Sequence, residues 1–126
     1  MITGIGVDLV TISRIQKVHE RFGERFEKRV LHPIEREQLL KHSKPTHFMA
    51  KRFAVKEATL KALGTGERSG ILFSEVYVQH DEMGKPHLKT DGRAQEHCNK
   101  MGITSMHVTI TDEEDQVVAF VVCEGG

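Results

Sequence analysis

Alanine recurs at every fourth residue from Ala50 through Ala54 and Ala58 to Ala62, in a run that Gly64 closes. On a helix of 3.6 residues per turn this spacing lays four methyl groups in one stripe, so one side of the segment admits close packing by its neighbours. The helix is expected to begin near Thr46, a candidate N-cap, and to stop at Gly64, where a left-handed residue ends a helix at little steric cost. Phe53, Glu57 and Lys61 fall on the adjoining stripe, which puts a carboxylate and an ammonium group on one side. A second carboxylate, Asp8, follows the apolar run Gly4-Ile5-Gly6-Val7. An isolated charge in such a setting is costly unless a partner offsets it. Asp8 and Glu57 are therefore candidate ligands for Mg²⁺, which takes one or two protein carboxylates, keeps several waters and completes its shell with phosphate oxygens. Lys56 and Lys61 would supply positive charge to those phosphates.

Each residue also has a plainer use. Asp8 could open a turn. Glu57 could be a surface acid paired with Lys61 at i,i+4, an arrangement worth a few tenths of a kcal/mol. The Gly64-Thr65-Gly66 loop could be a simple helix stop, or could let the backbone approach a phosphate or ribose.

Four stretches in order carry a resemblance: GIGVDLVTISRI at 4–15, AKRFAVKEATLKALGTG at 50–66, GKPHL at 84–88 and HVTITDEEDQVVAFVV at 107–122. Together they resemble the holo-[acyl-carrier-protein] synthase family of small bacterial 4'-phosphopantetheinyl transferases. The resemblance implies transfer of the 4'-phosphopantetheine group of coenzyme A to a serine of apo acyl carrier protein, with release of 3',5'-ADP, in support of fatty acid biosynthesis. It implies Mg²⁺ on Asp8 and Glu57, with Glu57 as candidate base and Lys61 as the second catalytic group. It also implies coenzyme A contacts from Arg52, Lys61, Gly64, Thr65, Gly66, Thr109 and Thr111, and a homotrimer with coenzyme A at subunit junctions. Many members place a histidine directly after the strand motif seen here as Val108-Thr109-Ile110-Thr111, whereas this chain has Asp112. Asp112 is read as a turn residue opening the hairpin at 112–116, the other reading being support of the metal's water shell.

The balance of 18 basic and 18 acidic residues conceals an asymmetry. Residues 1–63 hold 13 Lys or Arg against 7 Asp or Glu, and residues 64–126 hold 5 against 11. Arg14, Lys17, Arg21, Arg25 and Lys28 lie along one face of the first helix, a solvated face in most proteins. With the resemblance, Arg14, Lys17 and Arg21 become the candidate docking surface for an acidic carrier protein. A nucleic-acid-binding module would leave Asp8 and Glu57 unexplained, and a Mg²⁺-dependent phosphohydrolase would need no carrier. The eight histidines form no HxH or HExxH pair, which argues against a transition-metal site. Cys98 and Cys123 lack zinc spacing and suit a reducing cytoplasm. No apolar run reaches the length of a membrane span, and no secretory leader is evident.

The length suits one domain over residues 1–126. The coarse pattern predicts a strand at 3–9, then a helix opened by a capping box at Ser13-Arg14-Ile15-Gln16 and running to about 30, with Gly23 as a possible break. Pro33 should open a short helix through Leu40. Strands at 71–79 and 86–88 joined by a turn at 81–84, a helix at 91–100, and a hairpin of 106–111 with 117–123 should follow. Residues 117–122 are apolar at consecutive positions, so both faces of that strand are expected to be covered. The sum is an α+β fold of helices packed on a mainly antiparallel sheet.

Overall fold

The computed structural model describes residues 1–65 and 70–126. Its elements are β1 (Ile2–Thr11), α1 (Ile12–Phe22), α2 (Glu24–Val30), α3 (Pro33–Leu40), α4 (Pro45–Leu63), β2 (Val76–His80), β3 (Pro86–Thr90), α5 (Gly92–Met101), β4 (Ile103–Glu113) and β5 (Gln116–Gly125). β1, β5 and β4 form an antiparallel sheet in that spatial order, and β2 pairs antiparallel with β3. The architecture is the α+β arrangement the sequence predicts.

The alanine stripe of α4 has its counterpart in β1. A Cβ added at Gly6 would lie 2.0 Å from the Ala58 carbonyl oxygen, and one at Gly4 would lie 2.0 Å from that of Ala62. Helix backbone and strand backbone touch here, which a residue with a side chain would prevent. β5 completes the contact by turning Val117, Ala119, Val121 and Cys123 toward α4, all fully buried. Each such valine contributes roughly 1.5–3 kcal/mol by leaving water.

The other face of the sheet is open. Ile5, Val7 and Leu9 of β1 are 61%, 51% and 58% exposed, and Phe120 of β5, paired with Val7, is 39% exposed. The expectation that both faces of the last strand are covered is therefore corrected: the single chain buries one.

Three local expectations also change. Ser13 does not cap α1. Thr11 is the N-cap and makes no side-chain capping bond, while Asp115 in the β4–β5 turn accepts hydrogen bonds from Ser13 N at 3.0 Å and Ser13 Oγ at 2.6 Å. A distant carboxylate has replaced the local box. The chain breaks at Gly23, with φ +53°, so the basic stripe is divided between α1 and α2. The first half of the strand expected at 71–79 includes a 3₁₀ turn at Phe73–Glu75, whose Glu75 carboxylate accepts from Leu72 N and Arg93 N, both at 2.8 Å. Among the described residues no helix is long and apolar enough to cross a membrane.

Candidate active site

At the β1 edge, Lys61 Nζ donates to Asp8 Oδ1 at 3.0 Å and to the Val7 carbonyl at 2.9 Å. The ammonium is half exposed, whereas Asp8 is only 16% exposed. Gly4 faces Ala62 and Gly6 faces Ala58, so two strand residues match one turn of helix. Continuing this register sets Asp8 opposite the turn that ends in half-buried Glu57. The fold thus joins Lys61 to Asp8 at this seam, with Glu57 one turn before Lys61 on the same helix. Among the described residues no group of three or more His, Cys, Asp or Glu side chains is placed to hold a metal. A cation at this seam would have two hard oxygen donors from the chain and would draw the rest of its shell from substrate and water, the regime of Mg²⁺.

At the opposite edge, above β4, lies an open cleft of about 850 Å³. Its walls include Phe48, Lys51 and Arg52 of α4, His80, Lys85 and Pro86 of the β2–β3 hairpin, and Val108, Thr109, Ile110 and Asp112 of β4. Three cations therefore converge there against one carboxylate. His80 adds no charge near neutral pH, because burial, and then the positive charge of Arg52, push its pKa down. Arg52 is nearly buried, with its guanidinium 4.5 Å above the Phe48 ring. Its Nη2 donates to Gln38 Oε1 at 3.2 Å, and its Nε forms an ion pair with Glu35 Oε2 at 3.2 Å without hydrogen-bond alignment.

Lys56 is a correction. Its ammonium is 1% exposed and donates to Glu35 Oε1 at 2.6 Å, to the Phe73 carbonyl at 3.1 Å and to the Val76 carbonyl. All three protons are used inside the protein. Burial lowers its pKa, and Glu35 partly restores it. Lys56 faces the core and not the seam, so it offers no charge to a phosphate there.

Asp112 is a second correction. It lies within β4, paired with Val117, and the turn is made by Glu114, at φ +53°, and Asp115. Its carboxylate enters the cleft, 3.7 Å from Lys51 Nζ. Thr111 is exposed, and the pairing of β4 with β5 sets it on the open face beside Val118. Gly64 ends α4 at φ +72°. The buried Thr65 Oγ1 has no hydrogen-bond partner among the described residues. Gly66 lies outside the described residues. Arg14, Lys17 and Arg21 are exposed on α1.

Sequence reasoning missed the cleft cations Lys51 and Lys85 and the buried acid Glu35. It also missed the groove of about 350 Å³ lined by Val18, Phe22, Arg25, Phe26 and Arg29, beside the basic face. The Arg21 and Arg25 guanidinium groups lie 5.2 Å and 6.0 Å from the Phe22 ring. An exposed phenylalanine flanked by arginines was the available signal.

Residues 4–121 match the family model of the 4'-phosphopantetheinyl transferase superfamily. The chain belongs to this superfamily. Within it, the chain is 50% identical over 123 residues to the holo-[acyl-carrier-protein] synthase of Photorhabdus laumondii, covering 98% of each protein. The crystal structure of holo-[acyl-carrier-protein] synthase from Neisseria meningitidis is similar at a TM-score of 0.93 and 40% identity, over 98% of this chain and 99% of that one. A synthase from Bacillus anthracis in complex with CoA (3',5'-ADP) is similar at a TM-score of 0.82 and 34% identity, over 100% of this chain and 99% of that one. The match to these transferases thus includes both the seam and the cleft.

Proposed function

We propose that this chain is one phosphopantetheinyl transferase domain that moves the 4'-phosphopantetheine group of coenzyme A onto a serine of apo acyl carrier protein and releases 3',5'-ADP, in support of fatty acid biosynthesis. The observation that carries this reading is the acidic seam together with a cationic cleft, in a chain similar along almost its whole length to named synthases.

Asp8 and Glu57 would hold Mg²⁺, which when bound neutralises phosphate charge and polarises the oxygens of the transferring group. Lys61, already fixed on Asp8, would stabilise negative charge developing on that group. Arg52, with Lys51 and Lys85, would hold the nucleotide phosphates in the cleft, which Thr109 borders while sharing the open face of β4 with Thr111 through its pairing with Phe120. Gly64, Thr65 and Gly66 would lie beside the nucleotide, and the unpartnered Thr65 hydroxyl supports a ligand there. The serine oxygen attacks the β-phosphorus, the bond from that phosphorus to the oxygen of the departing 3',5'-ADP breaks, and Glu57 takes the serine proton. Arg14, Lys17 and Arg21 would steer the acidic carrier.

The seam and the cleft occupy opposite edges of a three-stranded sheet, about 10 Å apart by strand spacing alone, with α4 between them. A second copy could bring its cleft to the first copy's seam. The exposed apolar face around Val7, Leu9 and Phe120 also favours self-association, and we assign the chain to a homotrimer in which coenzyme A, including its contact with Thr111, spans two copies. Two free, buried cysteines suit the cytoplasm.

Incubation of the protein with Mg²⁺, coenzyme A and apo carrier protein, followed by mass spectrometry of the carrier, tests the reaction. The carrier should gain one phosphopantetheine, and the gain should vanish when EDTA removes the metal. Coenzyme A cleavage without carrier modification would indicate a hydrolase instead, and nucleic-acid retention with neither activity would indicate a binding module.

A further inference from the structure

We infer that Glu35 is a positioning residue for coenzyme A binding, which sets Arg52 in the cleft before the ligand arrives. This rests on the reading of the cleft as the nucleotide site.

Glu35 is fully buried on α3. Its Oε1 accepts from Lys56 Nζ at 2.6 Å and from His32 N at 3.1 Å; its Oε2 accepts from Val78 N at 3.2 Å and faces Arg52 Nε at the same distance. Donors from α3's own start, α4 and β2 thus lock one carboxylate. Arg52 is tied at three points: Nε to this carboxylate, Nη2 to Gln38, and the guanidinium plane over Phe48. Gln38, Phe48 and Arg52 all line the cleft, whereas Glu35 does not.

Two features mark this as more than a helix cap. Capping of α3 needs only the Glu35 bond to His32 N, the arrangement of an ordinary capping box. Here the same carboxylate is shared between the buried Lys56 and the guanidinium that lines the cleft. A held guanidinium has also lost much of its rotamer freedom in the free protein, which lowers the cost of ordering it around a phosphate.

The probe is 3',5'-ADP, titrated calorimetrically into the trimer, with thermal melts and the KM and kcat for coenzyme A measured alongside. Arg52→Ala should weaken 3',5'-ADP binding about tenfold or more, the size expected of a lost charge-assisted contact. Lys56→Met keeps the Glu35–Arg52 pair and should bind normally. Glu35→Gln/Lys56→Met removes the charge without stranding the buried ammonium, and should lose affinity several-fold, with KM rising more than kcat falls. Adding that pair to Arg52→Ala should bring no further loss beyond about twofold, because Glu35 acts through Arg52. Arg52→Lys leaves Glu35 untouched and separates the roles if the Glu35 variant fails to fold. A lysine held by Glu35 lacks a second arm for the ligand, so it should bind nearly as poorly as Arg52→Ala.

The inference is overturned if Glu35→Gln/Lys56→Met binds like Lys56→Met, if its loss adds in full to that of Arg52→Ala, or if Arg52→Lys binds like wild type. Normal binding by Arg52→Ala would remove the cleft as the nucleotide site, and this inference with it.

Discussion

At the β1 edge α4 meets the sheet backbone to backbone, through Gly4, Gly6, Ala58 and Ala62; at the β4 edge it presents the long side chains of Lys51 and Arg52 to an open cleft. The first contact is held by the absence of atoms. The second is held by charge, with Glu35 as its buried anchor. Substitutions at the two edges should therefore fail differently: the seam in folding, the cleft in ligand affinity.

Gly6→Val is the most severe test. Its Cβ alone would sit 2.0 Å from a helix carbonyl that cannot step aside without moving α4. Overpacking typically costs about 1–3 kcal/mol, and a backbone clash belongs at or above the upper end. Urea unfolding should show that loss or no cooperative transition. Lys85→Ala, in the exposed wall of the cleft, should stay within about 0.5 kcal/mol of wild type. Equal stability of the two variants would break the comparison.

Within the seam, chemistry separates from folding. Asp8→Ala and Glu57→Ala should each lower turnover on the order of 100-fold or more while thermal melts change little, since each removes a proposed metal ligand and transition-state charge compensation without opening a core cavity. Near-normal turnover at saturating Mg²⁺ would take that residue out of the metal site. Mixing the two edges sharpens this further. If one site takes its seam from one copy and its cleft from the next, co-expressed Asp8→Ala and Arg52→Ala chains should recover about a quarter of wild-type activity by random assembly around a closed ring. No recovery in a verified mixed trimer would place both edges of a site in the same chain.

How far each edge could be read from sequence follows from the same contrast. The seam is written in short-range pattern: alanines at every fourth residue, glycines at alternate residues, and two acids beside them. Even the Lys56 error was avoidable, because five helical steps rotate it about 140° away from Lys61. The cleft is assembled from α3, α4, the β2–β3 hairpin and β4, segments with no common local pattern. Glu35 looks like any acid in the first turn of a helix behind Pro33, and nothing adjacent foretells its complete burial. Asp112 looked like a turn residue because a run of four acids resembles a loop, yet two of them continue the strand.

The proposed docking face belongs to neither edge, and its effect should be smaller. Arg14→Glu/Arg21→Glu should raise the KM for the carrier about tenfold and leave that for coenzyme A unchanged, because exposed charges act mainly on encounter and orientation. Wild-type transfer should weaken as added salt shortens the Debye length from about 10 Å at 0.1 M to about 3 Å at 1 M. The double variant should show a flatter dependence. An unchanged carrier KM at low salt would remove α1 from the interface.

The smallest effect is expected at Asp112, where the two edges make opposite demands on a carboxylate. At the seam an acid is useful, since it can hold a cation. In the cleft it subtracts from the positive field proposed to hold phosphate. Asp112 and Lys51 are both partly exposed and 3.7 Å apart, a pair worth about 0–1 kcal/mol at most. Asp112→Asn keeps the shape of the side chain and releases Lys51, so stability should hardly move. Steady-state assays at low salt should show the KM for coenzyme A falling by no more than about fivefold, the equivalent of that pair energy, with turnover almost unchanged. The sign matters more than the size. A large loss of turnover would make Asp112 a participant in the reaction at the seam of a neighbouring copy.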